Sequence, residues 1–204
     1  MIFNIYNIQK KIANRLYVFF SIKITNVLFF IHGVNKKKFV TMGVPIIDKA
    51  INSKLIFGKD LVLVNDALSA TLGKNNRCKF VVSADATLMI GNKVGMSNTT
   101  IVATKSITIG NNIMIGGGVT IVDSDFHSLN SLHWHTSADE KNMISLPVVI
   151  KDNVFIGMDS IILKGVTIGN NVIVAAGSVV SKDIPNNQIW GGNPARFIRN
   201  NDFN

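Results

Sequence analysis

The stretch VVIKDNVFIGMDSIILKGVTIGNNVIVAAGSVV, residues 148–180, decides the fold because an aliphatic residue recurs in it at every sixth position. The residues in this register are Ile150, Ile156, Ile162, Ile168, Val174 and Val180. The residues two positions earlier are small or β-branched: Val148, Val154, Ser160, Val166, Val172 and Ser178. A period of six fits neither an amphipathic helix, with about 3.6 residues per turn, nor a long strand, with a period of two. It is typical of a short strand followed by a turn, so three strands would complete one triangular coil and the coils would stack through parallel ladders.

The same period extends upstream of this stretch. It is clear at Ile109, Ile115 and Ile121, and it is shifted by one residue in a further run. That run reads Ile90, Met96 and Val102. The pattern is degenerate between Phe57 and Ser83. We expect a core column of stacked β-branched side chains, with Gly and Asn supplying backbone freedom at the corners.

An aliphatic residue followed by glycine, as in Ile109-Gly110 and Ile168-Gly169, resembles the repeat of the hexapeptide-repeat acyltransferases. The resemblance covers residues 88–199. It implies a mainly β fold, a left-handed parallel β-helix, although crossovers between parallel strands are usually right-handed. It also implies direct transfer from acetyl-CoA without a metal, in a homotrimer whose substrates meet between neighbouring coils. We expect residues 55–185 to form this β-helix and residues 186–204 to form a C-terminal tail.

The N-terminal extension, residues 1–54, carries most of the charge. It holds nine Lys or Arg residues and one acid, a net charge of +8, whereas the remaining 150 residues carry a net +1. Nucleic-acid binding is not expected, because a nucleic-acid groove needs basic side chains spread over the folded surface, and here they are concentrated in the N-terminal extension. We expect a partly helical extension that packs on the rest of the protein or binds a membrane surface peripherally. Its apolar run is too short and too charged for a membrane span. The expected location is the cytoplasm, and the inner face of the membrane is an alternative.

A polar segment, residues 123–147, interrupts the repeat and is predicted to be an extruded loop that carries function. It contains His127, which the resemblance identifies as the general base. Imidazole suits this role because its ordinary pKa lies close to the working pH. Asp125, Asp123 or a backbone carbonyl would orient the ring by accepting a hydrogen bond from its second nitrogen.

Two further residues are candidates for contacting the acceptor. The resemblance to galactoside-type acetyltransferases implies that Asn98 contacts the acceptor or the reacting centre, and an amide both donates and accepts as sugar hydroxyls require. The alternative is a structural corner residue. Trp134 would stack on a sugar ring or anchor the loop, and Asp123 is a second substrate-binding candidate. No metal is expected at His133 and His135, because no carboxylate or Cys has matching spacing.

The coenzyme A side is expected at the last coils. The anionic donor calls for cations and backbone N–H groups, and the resemblance implies a set of contacts around the pantetheine, phosphates and adenine. These are Ala176, Gly177, Ser181, Lys182, Trp190, Arg196 and Arg199. Arg196 and Arg199 would otherwise cap the end of the β-helix. Met158 departs from the smaller residue of several relatives and puts the local thioester contact in doubt.

The function expected is O-acetylation of a sugar hydroxyl on a glycan or a surface polysaccharide precursor. Two other acceptors remain open on the same scaffold, a nucleotide-linked amino sugar and an antibiotic. A non-catalytic β-helix that binds or scaffolds is the remaining alternative. Cys78, the chain's single cysteine, allows no intrachain disulfide.

Overall fold

The computed structural model describes residues 2–35, 37–67, 69–70, 72 and 76–202, with side chains from residue 7 onward. These residues form one long helix, α1 (Ile2–Ile31), a short helix, α2 (Ser137–Lys141), one 3-10 turn (Ser131–His133) and nineteen short strands. The strands are β1 (Phe39–Met42), β2 (Ile46–Lys49), β3 (Lys54–Phe57), β4 (Leu61–Val64), β5 (Lys79–Val82), β6 (Thr87–Ile90), β7 (Val94–Ser97), β8 (Thr100–Ala103), β9 (Ser106–Ile109), β10 (Ile113–Ile115), β11 (Thr120–Val122), β12 (Val148–Ile150), β13 (Phe155–Ile156), β14 (Ile161–Ile162), β15 (Thr167–Ile168), β16 (Ile173–Val174), β17 (Val179–Val180), β18 (Gln188–Gly191) and β19 (Arg196–Asn200).

The strands stack into three sheets that form the faces of a triangular prism. Sheet A has the order β1-β4-β7-β10-β13-β16-β18-β19, sheet B the order β2-β5-β8-β11-β14-β17, and sheet C the order β3-β6-β9-β12-β15. From β1 to β14 each strand pairs in parallel with the strand three places later. At the end of the prism β16 pairs in parallel with β18, and β18 pairs antiparallel with β19. The chain therefore passes from A to B to C once per coil, as the six-residue period predicts.

The aliphatic repeat forms the core column. Ile150 of β12 is aligned with Ile109 on one side and Ile168 on the other, and all three are at most 1% exposed. The expected position of Val102 is wrong. Its neighbour Ile101 is the fully buried residue, aligned with Ile121 of the next coil, because one residue fewer separates β7 from β8 than the repeat requires.

The corner between sheets C and A is built from stacked asparagines. Asn112, Asn153, Asn171 and Asn187 all adopt positive φ near 60°, and each side-chain amide donates to the next along this series at 2.7–3.0 Å. At the corner between sheets A and B, which follows β13, glycine is required for a different reason. A Cβ on Gly157 would lie 2.4 Å from the backbone nitrogen of Ala176, so close stacking and not left-handed backbone excludes a side chain there.

Both ends of the prism are covered. At the N-terminal end the coils begin at Phe39, earlier than the predicted boundary at residue 55. There Phe29 of α1 packs on Phe57 with ring centroids 5.3 Å apart, which closes the core. At the other end, Trp190 of β18 aligns with Val174 and packs against the last core residues. These covers leave the corners of the prism as the places where functional side chains can be presented.

Candidate active site

Functional side chains lie at two corners of the prism. The corner between sheets A and B holds Asn98 and the Ala176-Gly177 pair, because these follow β7 and β16. The corner between sheets B and C gives rise to the loop 123–147 and holds Ser181 and Lys182, which follow β17. A single copy of the chain therefore distributes these candidates over two separate edges of the prism, and the remaining donor-side candidates lie on β18 and β19 at its end.

The loop 123–147 is clamped at its base. Ser124 and Ser145 form an antiparallel bridge, and the backbone N–H of Leu146 donates to the carbonyl of Asp123 at 2.9 Å. The fully buried Asp123 carboxylate accepts four hydrogen bonds of 2.7–2.8 Å from Thr104, Lys105 and Ser106. A carboxylate satisfied in this way is a structural anchor. In this structure Asp123 does not contact His127, and its contact with substrate stays a prediction.

Asp125 also belongs to the loop base. Its Oδ1 lies 2.6 Å from Lys164 Nζ, and both side chains are at least three-quarters buried. Lys164 lies between β14 and β15, at the same corner of the next coil. This ion pair ties the loop to the prism. The ring of His127 has a different acidic partner, so the expected pairing with Asp125 is wrong.

His127 pairs with Asp139 of α2. The distance from His127 Nδ1 to Asp139 Oδ2 is 2.7 Å, and the histidine side chain is 72% exposed. The other carboxylate oxygen accepts from the backbone N–H of Ser128 at 2.7 Å. These two hydrogen bonds, from His127 first, hold the pKa of Asp139 below its ordinary value. Because an ionised carboxylate only accepts, Nδ1 carries the proton and Nε2 is left with a free lone pair.

The segment between His127 and α2 holds this geometry in place. Ser128 Oγ hydrogen-bonds His133 Nδ1 at 2.8 Å, and the indole N–H of Trp134 donates to the carbonyl of Ser128 at 2.8 Å. A cavity of about 290 Å³ lies beside the pair and is lined by His127, Trp134, His135 and Asp139. Trp134 thus anchors the loop and also presents a half-exposed ring to the cavity.

Asn98 lies in a second cavity, of about 340 Å³, at the corner between sheets A and B. Its side chain is 1% exposed, its φ is +49°, and its Nδ2 donates to the carbonyl of Asn76. Its Oδ1 is buried and has no hydrogen-bond partner among the described residues. Such an orphaned acceptor is costly in a folded protein.

The coenzyme A candidates differ in how accessible they are. Ala176, Gly177, Ser181 and Lys182 are exposed. Arg196 and Arg199 are exposed on β19, where each guanidinium donates to a nearby backbone carbonyl at 3.0 Å. Trp190 is half-buried against the core, and its indole N–H donates to Gln188 at 2.7 Å. The packing makes Trp190 an end cap of the prism.

Sequence reasoning missed Asp139 and Lys164. The segment Thr136-Ser-Ala-Asp139-Glu carries the signal of a helix start, since Thr136 caps α2 and acids follow in its first turn. The signal indicates a helix and does not indicate a contact with His127. Within the part of the chain that the structure describes, no three His, Cys, Asp or Glu side chains form a group that could hold a metal ion.

Comparison with protein families identifies the repeat. Residues 147–182 match the family described as bacterial transferase hexapeptide (six repeats). The galactoside O-acetyltransferase of Escherichia coli K12 is 41% identical over 102 residues, which are 50% of this chain and 48% of the relative. The galactoside O-acetyltransferase of Lactococcus lactis is 38% identical over 109 residues, 52% of this chain and 50% of the relative. The chain thus spans about half the length of these curated relatives.

Solved structures agree with the sequence matches. A hexapeptide-repeat acetyltransferase from Vibrio cholerae is 34% identical with a TM-score of 0.52, over 57% of this chain and 64% of that one. An N-acyltransferase from Bacillus cereus, solved with dTDP and 3-hydroxybutyryl-CoA, has a TM-score of 0.66 at 19% identity, over 87% of this chain and 88% of that one. These confirm the predicted fold, a left-handed parallel β-helix. The chain thus carries the bacterial transferase hexapeptide repeat at residues 147–182 and is similar to the hexapeptide-repeat acetyltransferases.

Proposed function

We propose that the protein is an acetyl-CoA-dependent O-acetyltransferase that modifies a sugar hydroxyl of a glycan or a surface polysaccharide precursor. The observation that carries this proposal is the His127–Asp139 pair beside an open cavity, on a loop clamped to a rigid prism. The named activity of the galactoside O-acetyltransferases with which the chain aligns supports the reaction type.

His127 acts as the general base in this proposal. Asp139 accepts from Nδ1 and so keeps the Nε2 lone pair available. Nε2 removes the proton of the acceptor hydroxyl as its oxygen attacks the thioester carbonyl, and the collapse of the tetrahedral adduct breaks the C–S bond. The protonated imidazole returns its proton to the departing thiolate, which leaves the acetyl ester and coenzyme A. Asp139 is a positioning residue, because it acts through the ring of His127.

Transfer is direct in this scheme. A covalent intermediate would need an accessible nucleophile, and the only thiol of the chain belongs to Cys78. That side chain is fully buried, and its burial raises the pKa of the thiol to about 11. A buried neutral thiol is a poor nucleophile.

We propose that the active site is completed between copies of the chain in a homotrimer. His127 and Asn98 lie at different corners of the prism and line different cavities. Packing the corner between sheets A and B of one copy against the loop 123–147 of its neighbour would let both residues face one acceptor. The orphaned Oδ1 of Asn98 would then accept a hydrogen bond from a sugar hydroxyl. The same packing joins the exposed Ala176 and Gly177 of one copy with Lys182 of the next around an anionic donor.

The test replaces His127 by Ala and measures free thiol released from acetyl-CoA against a panel of sugar acceptors. We expect turnover to fall roughly 10²–10⁴-fold, the usual contribution of a general base. The melting temperature should not change, since the side chain is 72% exposed. His135→Ala is the matched control, because it removes a second imidazole from the same cavity. Full activity of His127→Ala, or an equal loss in His135→Ala, would overturn the assignment.

Two other acceptor classes remain as alternatives. The Bacillus cereus structure is an N-acyltransferase on the same fold, so an amino group on a nucleotide-linked sugar fits the scaffold as well. The second alternative acceptor is an antibiotic. The non-enzymatic alternative is a β-helix protein that binds a ligand without catalysis. The acceptor panel separates them, since a binding protein releases no thiol. A thioester donor and one reduced cysteine suit a cytoplasmic location.

A further inference from the structure

The helix α1 packs on the prism through a face of mixed polarity. Two fully buried residues of this face are polar, Ser21 and Thr25, and Ser21 Oγ accepts from the backbone N–H of Gly43 at 3.1 Å. Among the described side chains of α1, Phe29 is the one that belongs to the buried apolar core. Three further apolar side chains of the helix are half-buried: Val18, Ile22 and Leu28. A surface helix of a globular protein normally turns most of its apolar surface inward.

The opposite face of α1 carries a continuous apolar row, which we call the outer stripe. Its members recur three or four residues apart and are each more than half exposed: Ile12, Leu16, Phe20, Ile24, Val27 and Ile31. Residues at this spacing lie on one side of a helix. An exposed apolar surface of this extent marks an interaction site.

The charge around the outer stripe indicates which partner covers it. The helix contains four basic residues and no acid, and the first acid of the chain is Asp48. At 3.6 residues per turn, Lys10 and Arg15 lie on the two sides of the stripe. Lys23 lies on the stripe's own face, where its Nζ is 5.3 Å from the ring centre of Phe19 and can reach outward past the apolar side chains. A second copy of this helix would bring four like charges against these, which disfavours pairing. An anionic lipid surface supplies negative headgroups and an apolar interior together.

The helix is held along the prism and is not free to cross a bilayer. Residues 7–31 are long and apolar enough for a span by length and composition alone, so the prediction that the apolar run is too short and too charged is wrong on that count. However, the hydroxyl of Tyr17 donates to Asp66 at 2.9 Å, and Ser21 and Phe29 fix the rest of the helix. Only residues 2–16 extend beyond these contacts, and a span needs about 20 residues.

We infer that α1 docks the protein on an anionic membrane surface, lying in the interface with the outer stripe in the lipid and Lys10 and Arg15 on the headgroups. The inference is independent of the proposed acyl transfer. It would place a membrane-bound acceptor near the enzyme.

The test is flotation of the full chain with vesicles of phosphatidylcholine alone and with vesicles enriched in phosphatidylglycerol. We expect binding to the anionic vesicles only. Leu16→Ser combined with Phe20→Ser should weaken it about tenfold or more, because each side chain loses its apolar burial. Lys10→Gln combined with Arg15→Gln should weaken it by a similar factor, because two attractions to the anionic headgroups are lost. Ile51→Ser, which removes a fully exposed apolar side chain outside α1, is the control and should bind normally.

Four outcomes would overturn the inference. They are absence of binding to anionic vesicles, equal binding to both vesicle types, unchanged binding of the Leu16/Phe20 variant, and retention of the protein on membranes through alkaline carbonate. Light scattering tests whether the outer stripe instead binds a second copy of the chain. Loss of the native oligomer in the Leu16/Phe20 variant would assign the stripe to that second copy. Thiol release with a soluble acceptor should stay at the wild-type rate in these variants, so failure of docking and failure of the proposed activity are distinguishable.

Discussion

Replacing Asp139 by Asn should damage catalysis more than replacing it by Ala. Asp139 holds two donors at once, the Nδ1–H of His127 and the backbone N–H of Ser128, each at 2.7 Å. Asn has one oxygen and one NH₂ group. The fixed N–H of Ser128 takes the oxygen, which leaves the NH₂ facing His127. Nδ1 must then accept, the ring proton moves to Nε2, and the nitrogen that should remove the hydroxyl proton is blocked.

The whole contribution of a general base, about 10²–10⁴-fold, sets the ceiling on the effect. We expect Asp139→Asn to lower kcat by about 10²-fold, because it favours the unproductive tautomer. Asp139→Ala leaves both tautomers accessible and should lower kcat by only about tenfold. The KM for acetyl-CoA should not change in either variant, because Asp139 contacts no proposed donor residue.

The assay is thiol release from acetyl-CoA at saturating acceptor, from pH 5 to pH 9. The pKa of Asp139 is lowered by His127 and Ser128, so its stabilising contribution is complete above the ordinary carboxyl range and is lost only as the pH falls below it. Protonation of Asp139 should therefore not contribute to the wild-type profile between pH 5 and pH 9. Equal losses in the Asn and Ala variants, or a loss in KM instead of kcat, would refute the tautomer argument.

Two further predictions concern the prism and the loop base. Gly157→Ala should lower the melting temperature by about 5 °C or more, since overpacking costs about 1–3 kcal/mol and its Cβ would lie 2.4 Å from the backbone of Ala176. Gly95→Ala is the control and should melt as wild type, because there is open space around Gly95. Equal melting temperatures of the two variants would contradict the close-approach argument. Asp123→Asn should cost about 1–3 kcal/mol in denaturant unfolding, because an amide must face N–H donors that the carboxylate accepts. An unchanged midpoint would show that the loop base does not depend on this carboxylate.

The corners show where sequence reasoning stops. Glycine in the repeat predicts turns, yet the left-handed backbone belongs to Asn153 and its stacked equivalents, and Gly157 is required by the approach of the next coil. This distinction depends on contacts between residues about eighteen positions apart. It can be read only once the coils are stacked.

The six-residue period is enough to predict the prism, because it leaves few ways to bury one aliphatic residue per strand. The sequence by itself also determined that the interrupting polar loop carries His127. The tertiary structure alone decided that Asp139 orients His127 while Asp125 binds Lys164, since the folding of α2 back onto the loop leaves no periodic trace. The tertiary structure likewise shows which face of α1 points away from the prism. The spacing of apolar residues predicts a stripe but not whether it faces the prism, whereas the contacts of Ser21 and Phe29 with the prism show that it faces away.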